Sequence, residues 1–330
     1  MERMVKLGGA VLEALVEEWG TAEALRRLAD PCWFQALGCF LGYDWHSSGL
    51  TTTVPAALKE ALRQRPGLGL WGAGGKGKTS LKTPAEIREA AEREGLDPAP
   101  LERASRLAAK VDSAALQDGF QLYHHAFFFD REGRWAVVQQ GMNPRTRWAR
   151  RYHWLSESLS SFVNEPHAAV ASEVRLRKAL NMVAADSAGS RRASVELACE
   201  NPDKITLEYL KMPRQHRVVV RPENLRKVLV ALHERSPRDY EELLLTPGVG
   251  PASVRALALL GELLYGEKPS WRDPAVYSFA HGGKDGTPYP VNLRVYEETI
   301  SVLERALRMA KAGRREGLEA IKRARLALGL

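Results

Sequence analysis

The residues best suited to chemistry lie between Lys110 and Gln139: Lys110 and Asp112, then Asp118, His124 and His125, and finally Gln139 with Gln140. Two carboxylates with a lysine and a histidine at the open end of a small sheet can hold a hard divalent cation. Such an ion would clamp a phosphate and acidify an attacking water. On this reading Asp112 and Asp118 hold magnesium or manganese, Lys110 or His124 assists the water, and Gln139 completes the set. Asp44 and His46 would contribute from residues 44–53, where an acid, an imidazole and several hydroxyls interrupt the helical periodicity. The plainer expectation is that His124 and His125, adjacent on a strand, point to opposite faces and hydrogen-bond in the core. It is favoured for His125 and evenly balanced for His124.

Such a set needs a sheet beneath it. Residues 120–129 and 135–141 read as two antiparallel strands around a turn at residues 130–133, apolar on both faces and therefore covered on both. A four-residue turn places His124 opposite Gln139 and Tyr123 opposite Gln140, and a slip of one residue changes both partners. Upstream, apolar spacing predicts two or three packed helices before Tyr43 and another over residues 54–63. A short strand over residues 68–71 leads into Gly72-Ala73-Gly74-Gly75-Lys76-Gly77-Lys78-Thr79, which has P-loop spacing. A P-loop opens directly into a helix, whereas here Thr83-Pro84-Ala85-Glu86 is the stronger helix start. Lys76 and Lys78 are therefore expected to touch a nucleic-acid phosphate, with an ATPase the lesser reading. Asp130, the candidate for that enzyme's magnesium, reads better as part of a turn.

The most legible local motif is Thr246-Pro247-Gly248-Val249-Gly250-Pro251, between two apolar helical runs. It resembles the helix-hairpin-helix, which holds a nucleic-acid backbone without reading bases. Gly248, Val249 and Gly250 would bring bare backbone to a phosphate, and Ser253 and Arg255 on the second helix would add polar contacts. The net charge of +8 fits a polyanionic partner. Arg145, Arg147, Arg150 and Arg151, interleaved with Trp148, Tyr152 and Trp154, read either as a grip on phosphates and exposed bases or as a solvated face with core anchors. DNA is the expected partner, single- or double-stranded, alone or with further copies of the chain or another repair protein. No apolar run is long enough to span a membrane, the N-terminus does not read as a signal peptide, and the three cysteines form no disulfide framework. A cytoplasmic location follows as the expectation.

The expected fold is α+β and mostly helical. Residues 1–165 form a candidate catalytic lobe with a small antiparallel sheet, 166–235 an irregular or helical connecting region, and 236–330 a helical DNA-binding lobe with a basic tail. Several strings, Phe34-Gln35-Ala36-Leu37-Gly38, residues 44–53, residues 74–80, Val137-Val138-Gln139-Gln140-Gly141-Met142-Asn143, residues 150–156 and residues 277–286, are similar to a prokaryotic family catalogued as domain of unknown function 763. That resemblance implies a shared architecture with the hairpin as its DNA-binding part, and no activity. Members begin with a further basic, glycine-containing segment, so a truncated or mis-started N-terminus is expected. The acid, lysine and glutamine grouping also resembles restriction-endonuclease-like nucleases, although its acids depart from their spacing. The leading expectation is a metal-dependent nuclease in DNA repair or processing. The rivals are a DNA-binding scaffold without catalysis, and a base-excision glycosylase using Asp273.

Overall fold

The computed structural model describes residues 1–43, 48–212 and 220–275, with the helical positions Val302, Arg305, Ile321 and Arg323 beyond them. Asp44 and His46 lie outside the described residues, as does most of the basic tail. Helices α1 (Glu2–Ala29) and α2 (Pro31–Phe40) bury Val11, Leu12, Leu15, Leu25, Leu28, Phe34 and Leu37, as their helical spacing requires. The Asp30 carboxylate starts α2 by accepting from the Trp33 amide at 2.8 Å, with Pro31 at the first helical position. Helix α3 (Ser48–Arg63) begins earlier than expected. Thr52 bonds back to the Gly49 carbonyl at 3.0 Å and Thr51 is buried, so part of the polar string is helix rather than loop.

Strand β1 (Leu70–Lys76) runs through the glycines and leads into a 3-10 segment, Gly77–Lys82, before α4 (Thr83–Arg93). Helix α5 (Pro98–Lys110) continues into a π turn, Val111–Ala115, followed by β2 (Leu116–Gln117), β3 (Gln121–Asp130), β4 (Trp135–Met142) and β5 (Ala149–Leu155). Then come β6 (Ala169–Ser172), β7 (Leu180–Asn181), α6 (Ala188–Cys199), α7 (Pro202–Lys211), α8 (Pro222–Arg235), α9 (Tyr240–Leu245) and α10 (Pro251–Tyr265). The architecture is α+β and predominantly helical. Its main sheet is antiparallel in the order β1-β3-β4-β5-β6, and β2 pairs with β7.

Both faces of the sheet are covered, as the two-sided apolar pattern of β3 and β4 requires. Ala126, Phe128, Ala136 and Val138 pack with α1–α3, while Phe127, Phe129, Val137, Tyr152 and Trp154 join a larger core extending through α10. Full burial of one such phenylalanine stabilises by roughly 2–3 kcal/mol. This larger core runs from Trp71 to Ala275, and the expected division at residue 165 falls between β5 and β6, which pair with each other. Residues 166–235, expected as an irregular or helical connection, supply helices α6–α8 and also the strands β6 and β7.

The β3–β4 register differs by one residue from the four-residue-turn expectation. Phe129 pairs with Trp135, so the connection spans residues 130–134. The buried Asp130 carboxylate explains the extra residue: it accepts from the Glu132 amide at 3.1 Å, the Arg134 amide at 3.0 Å and the Arg134 guanidinium at 2.7 Å. Thr21 also donates to it at 3.0 Å, so Asp130 is a turn-forming residue tied to α1. In consequence His125 faces Gln139 and His124 faces Gln140, with a bulge at Tyr123.

Candidate nucleic-acid interface and the buried polar chain beneath it

Asp112 sits in the π turn at the end of α5, a distortion of the helical ladder that often accompanies specialised positions. It is fully buried. Gln139 Nε2 donates to its Oδ2 at 2.5 Å, Trp154 Nε1 donates to the same oxygen at 2.9 Å, and His167 Nε2 lies 2.5 Å from Oδ1. Gln139 turns its amide nitrogen to Asp112 and to the Ala108 carbonyl, so its oxygen must accept from His125 Nδ1 at 2.7 Å. His125 Nε2 then accepts from the Ser105 hydroxyl at 2.9 Å. Burial holds His125 below the ordinary imidazole range, in keeping with this neutral form. His125 is thus the hydrogen-bonded core histidine that its position suggested.

Asp118 belongs to a second buried group. It lies before β3 begins, and its Oδ2 accepts from Tyr152 at 2.7 Å and from Arg150 at 2.9 Å, while Oδ1 accepts from the Phe120 amide at 3.0 Å. Burial pushes the Asp118 carboxyl up, against the opposing pull of Arg150. Arg150, 0% exposed, makes two bonds of 2.8 Å to Asp273 and donates to the Val174 carbonyl at 3.0 Å. Asp273 also accepts from the Leu176 amide at 2.6 Å and the Ala275 amide at 3.1 Å. The carboxylate that a glycosylase would need is therefore committed to holding residues 174–176 and 273–275 against β5.

The opposite face of the sheet carries the cross-strand row Lys76, His124, Gln140 and Arg151. His124 is fully buried and neither ring nitrogen has a hydrogen-bond partner among the described residues. Burial holds it neutral, with its pKa lowered to about 3. Arg151 donates to Gln35 Oε1 and to the Pro31 carbonyl, each at 3.2 Å, and packs its guanidinium 4.8 Å from the Phe34 ring. Strand alternation thus sends Arg150 and Arg151 into opposite cores, and neither is an exposed cation for a nucleic-acid strand. It also separates the expected catalytic set. Asp112, Asp118 and Gln139 share one side of the sheet, while His124 lies on the other.

These carboxylates fit a divalent cation poorly. Their oxygens accept from protein donors, Arg150 already balances Asp118, and among the described residues no three His, Cys, Asp or Glu side chains gather as a metal cage. Magnesium or manganese would compete with these donors for the carboxylates. Asp112 and Asp118 nevertheless attach to Trp154 and Tyr152, same-face neighbours on β5, and the His167 ring lies 4.7 Å from the first and 6.0 Å from the second.

The accessible cations gather elsewhere. Strands β1, β4 and β6 finish, and β3 and β5 begin, at one end of the sheet. The three connections there carry Lys78, Lys82, Arg145, Arg147, Arg175, Arg177 and Lys178, all exposed, beside Lys76 at the end of β1. Glu173 is the single carboxylate within residues 77–82, 143–148 and 173–178. These cations make no ion pairs among the described residues, whereas Lys59, Arg63, Arg88 and Arg134 are all paired. The glycine string is not a P-loop: Gly72 to Lys76 pair with Phe128 to His124, and Glu86 accepts from the Gly74 amide at 2.7 Å. Glycine is required at position 74, where φ is +90 and a Cβ would lie 2.2 Å from the His125 carbonyl oxygen. The signal for residues 175–178 was their basic run, hidden within an apparent linker.

The α9–α10 hairpin is fastened to this end. Lys110 Nζ donates to the Val249 carbonyl at 2.5 Å, and burial lowers the Lys110 pKa. Gln117 donates to the Pro251 carbonyl at 2.8 Å and accepts from Arg255 Nε at 2.9 Å, so Arg255 braces the hairpin from within. Two residues after Gln117, Gly119 lies against Asn143 at the root of the arginine loop. Val249 and Ser253 are buried, and Ser253 Oγ accepts from the Gly250 amide at 3.0 Å; these two residues shape the turn. Gly248 is exposed with φ +86. Gly250 has an extended φ of −148 and open space where a Cβ would stand, so the fold does not demand glycine there.

Among the described residues, no helix is long and apolar enough to cross a membrane. Comparison with curated proteins and with solved structures finds no match. A family model does match, over residues 1–291, and it carries the glycine string, the arginine strand and the hairpin together. The chain belongs to the family described as protein of unknown function (DUF763).

Proposed function

We propose that this chain is a cytoplasmic DNA-binding protein that grips the sugar–phosphate backbone through the basic end of its sheet and the adjoining hairpin. The observation that carries the reading is the gathering, on three connections at one sheet end, of exposed cations that make no ion pairs among the described residues. Cations without internal partners are free to replace counterions on a polyanion. Two features of the hairpin support the same partner. Gly248 and Gly250 leave its tip bare, and Gly250 is small where the fold has room for more, as a backbone approached from outside requires.

Metal-dependent cleavage of DNA in repair is the second reading. What favours it is the adjacency of Asp112 and Asp118 through Trp154 and Tyr152; what opposes it is that each carboxylate already accepts three hydrogen bonds from protein donors. One experiment separates the two. Labelled DNA is incubated with the full chain in magnesium, manganese or EDTA and resolved on native and denaturing gels. Salt-sensitive retention with intact DNA in all three supports binding alone. Cleavage that needs metal and is lost in Asp112→Asn would establish the nuclease, and no retention at low salt would reject both readings.

A further inference from the structure

The basic end of the sheet displays aromatic rings as well as cations, and this bears on which form of nucleic acid it takes. Trp148 is 43% exposed, whereas Trp33, Trp71, Trp135 and Trp154 are buried in the core. Its display is built into the loop. The Asn143 amide donates to the Trp148 carbonyl at 2.9 Å, the Arg147 amide donates to the Asn143 carbonyl at 2.9 Å, and Asn143 Oδ1 accepts from the amides of Arg145 and Thr146. Arg147 adopts φ +64, a left-handed conformation unusual for a residue with a side chain. The loop therefore holds Trp148 outward beside Arg145 and Arg147.

Tyr123 stands on the same end. It occupies the bulge before His124, half-buried, with its hydroxyl bonded to Gln140 and the Lys76 ammonium 5.9 Å from the ring centre. A ring tied at its hydroxyl and flanked by a cation is a fixed flat surface. Between the strands carrying Lys76 and Ser172 there are four interstrand steps, roughly 19 Å at the usual spacing. Cations along such a rim can track several phosphates, while the rings between them can take base faces. A duplex hides those faces in its stack. An unpaired strand presents them, and stacking on aromatic side chains between backbone-binding cations is how proteins hold single strands with little sequence preference.

We infer that the sheet end is a single-strand site: Trp148 stacks on an unpaired base, Tyr123 supports a neighbouring one, and Lys76, Arg145 and Arg147 hold the phosphates between. This rests on the nucleic-acid reading of the same surface and adds strand selectivity to it. The chemistry recognised, unpaired base faces on a phosphate backbone, is common to DNA and RNA.

The test is fluorescence anisotropy of the full chain with end-labelled oligo-dT, oligo-U, a duplex of equal length, and fluorescent heparin as a baseless polyanion. The expected result is tighter binding of either single strand than of the duplex. Trp148→Ala should weaken the single strand about tenfold, within the usual range for loss of one stacked base, while Trp148→Phe stays close to wild type. Heparin affinity should not change in either variant, and an unchanged melting temperature would confirm intact folding. Whichever of oligo-dT and oligo-U binds more tightly identifies the natural strand, and either result supports the inference. Equal or tighter binding of the duplex, or indifference of the single strand to Trp148→Ala, would overturn it while leaving the cationic grip intact. Failure to bind any of the four probes would overturn the nucleic-acid reading as well.

Discussion

The Lys110 ammonium donates to the Val249 carbonyl oxygen at 2.5 Å, joining the helix that carries the Asp112 turn to the tip of the α9–α10 hairpin across 139 residues of sequence. The hairpin is therefore part of the same rigid assembly as the sheet end, with Gln117 and Arg255 making a second tie. A grip shared between two surfaces gains from such rigidity, because less order has to be imposed when the ligand arrives.

Loss of that tie should be measurable. Lys110→Met keeps the aliphatic stem and removes the donor. It is expected to lower stability by about 1.5 kcal/mol, the low end for a hydrogen bond to a charged group. Urea unfolding checks the magnitude, and faster amide exchange confined to α9 and α10 would show that the loss is local.

Gly250 offers a cleaner test of the hairpin than Gly248. With φ −148 and no atom within 4 Å of where a Cβ would stand, Gly250→Asp should leave the melting temperature unchanged. A carboxylate at the start of α10 should repel phosphate and weaken DNA binding severalfold at low salt. Unchanged affinity would remove the hairpin from the interface.

Arg150 is expected to matter for folding and not for binding. Arg150→Met leaves Asp118 and Asp273 buried without their cation, and breaking a buried pair from one side costs about 3–5 kcal/mol. Chemical denaturation would measure the loss. Whatever folded protein remains should keep wild-type affinity for DNA, because the guanidinium is inaccessible.

The buried histidines predict acid sensitivity. His124, His125 and His153 all have pKa values lowered by burial, His124 to about 3 from an ordinary 6.5. Between those values the unfolded chain binds protons that the folded chain refuses, so stability is full above about 6.5 and falls as the pH drops toward 3. Each histidine contributes a slope of up to about 1.4 kcal/mol per pH unit. Unfolding midpoints between pH 7 and 5 should decline, and His124→Gln should reduce that decline by close to one proton.

The sequence exposed whatever was local. The turn between two apolar helices, the two-faced β3–β4 hairpin and the buried faces of α1 and α2 all follow from periodicity within a few residues. It concealed what depends on distant partners. Gly72 to Lys76 lacks the branched residues that mark strands and reads as a loop; it pairs because β3 offers an edge and Gly74 leaves room for the His125 carbonyl. Arg150 and Arg151 look like one basic patch, since nothing nearby announces Asp273 or Gln35 as their partners. Asp112 was legible as a candidate acid, yet His167, 55 residues away, carried no signal beyond a Glu-Pro-His string. The one-residue register difference arose from Asp130, whose carboxylate organises a longer turn than residues 130–133 suggested.

The sheet-end interface is tested by the salt dependence of DNA affinity, measured by anisotropy for wild type, Lys76→Ala/Lys78→Ala and Arg145→Ala/Arg147→Ala. Each phosphate contact contributes about 0.7 to the slope of log affinity against log salt for a single strand and about 0.9 for a duplex. A steep wild-type slope that falls by about one to two in each double variant, with the fold intact, is the predicted result. A slope near zero, or one that neither pair changes, would contradict the assignment of the sheet end as the nucleic-acid interface.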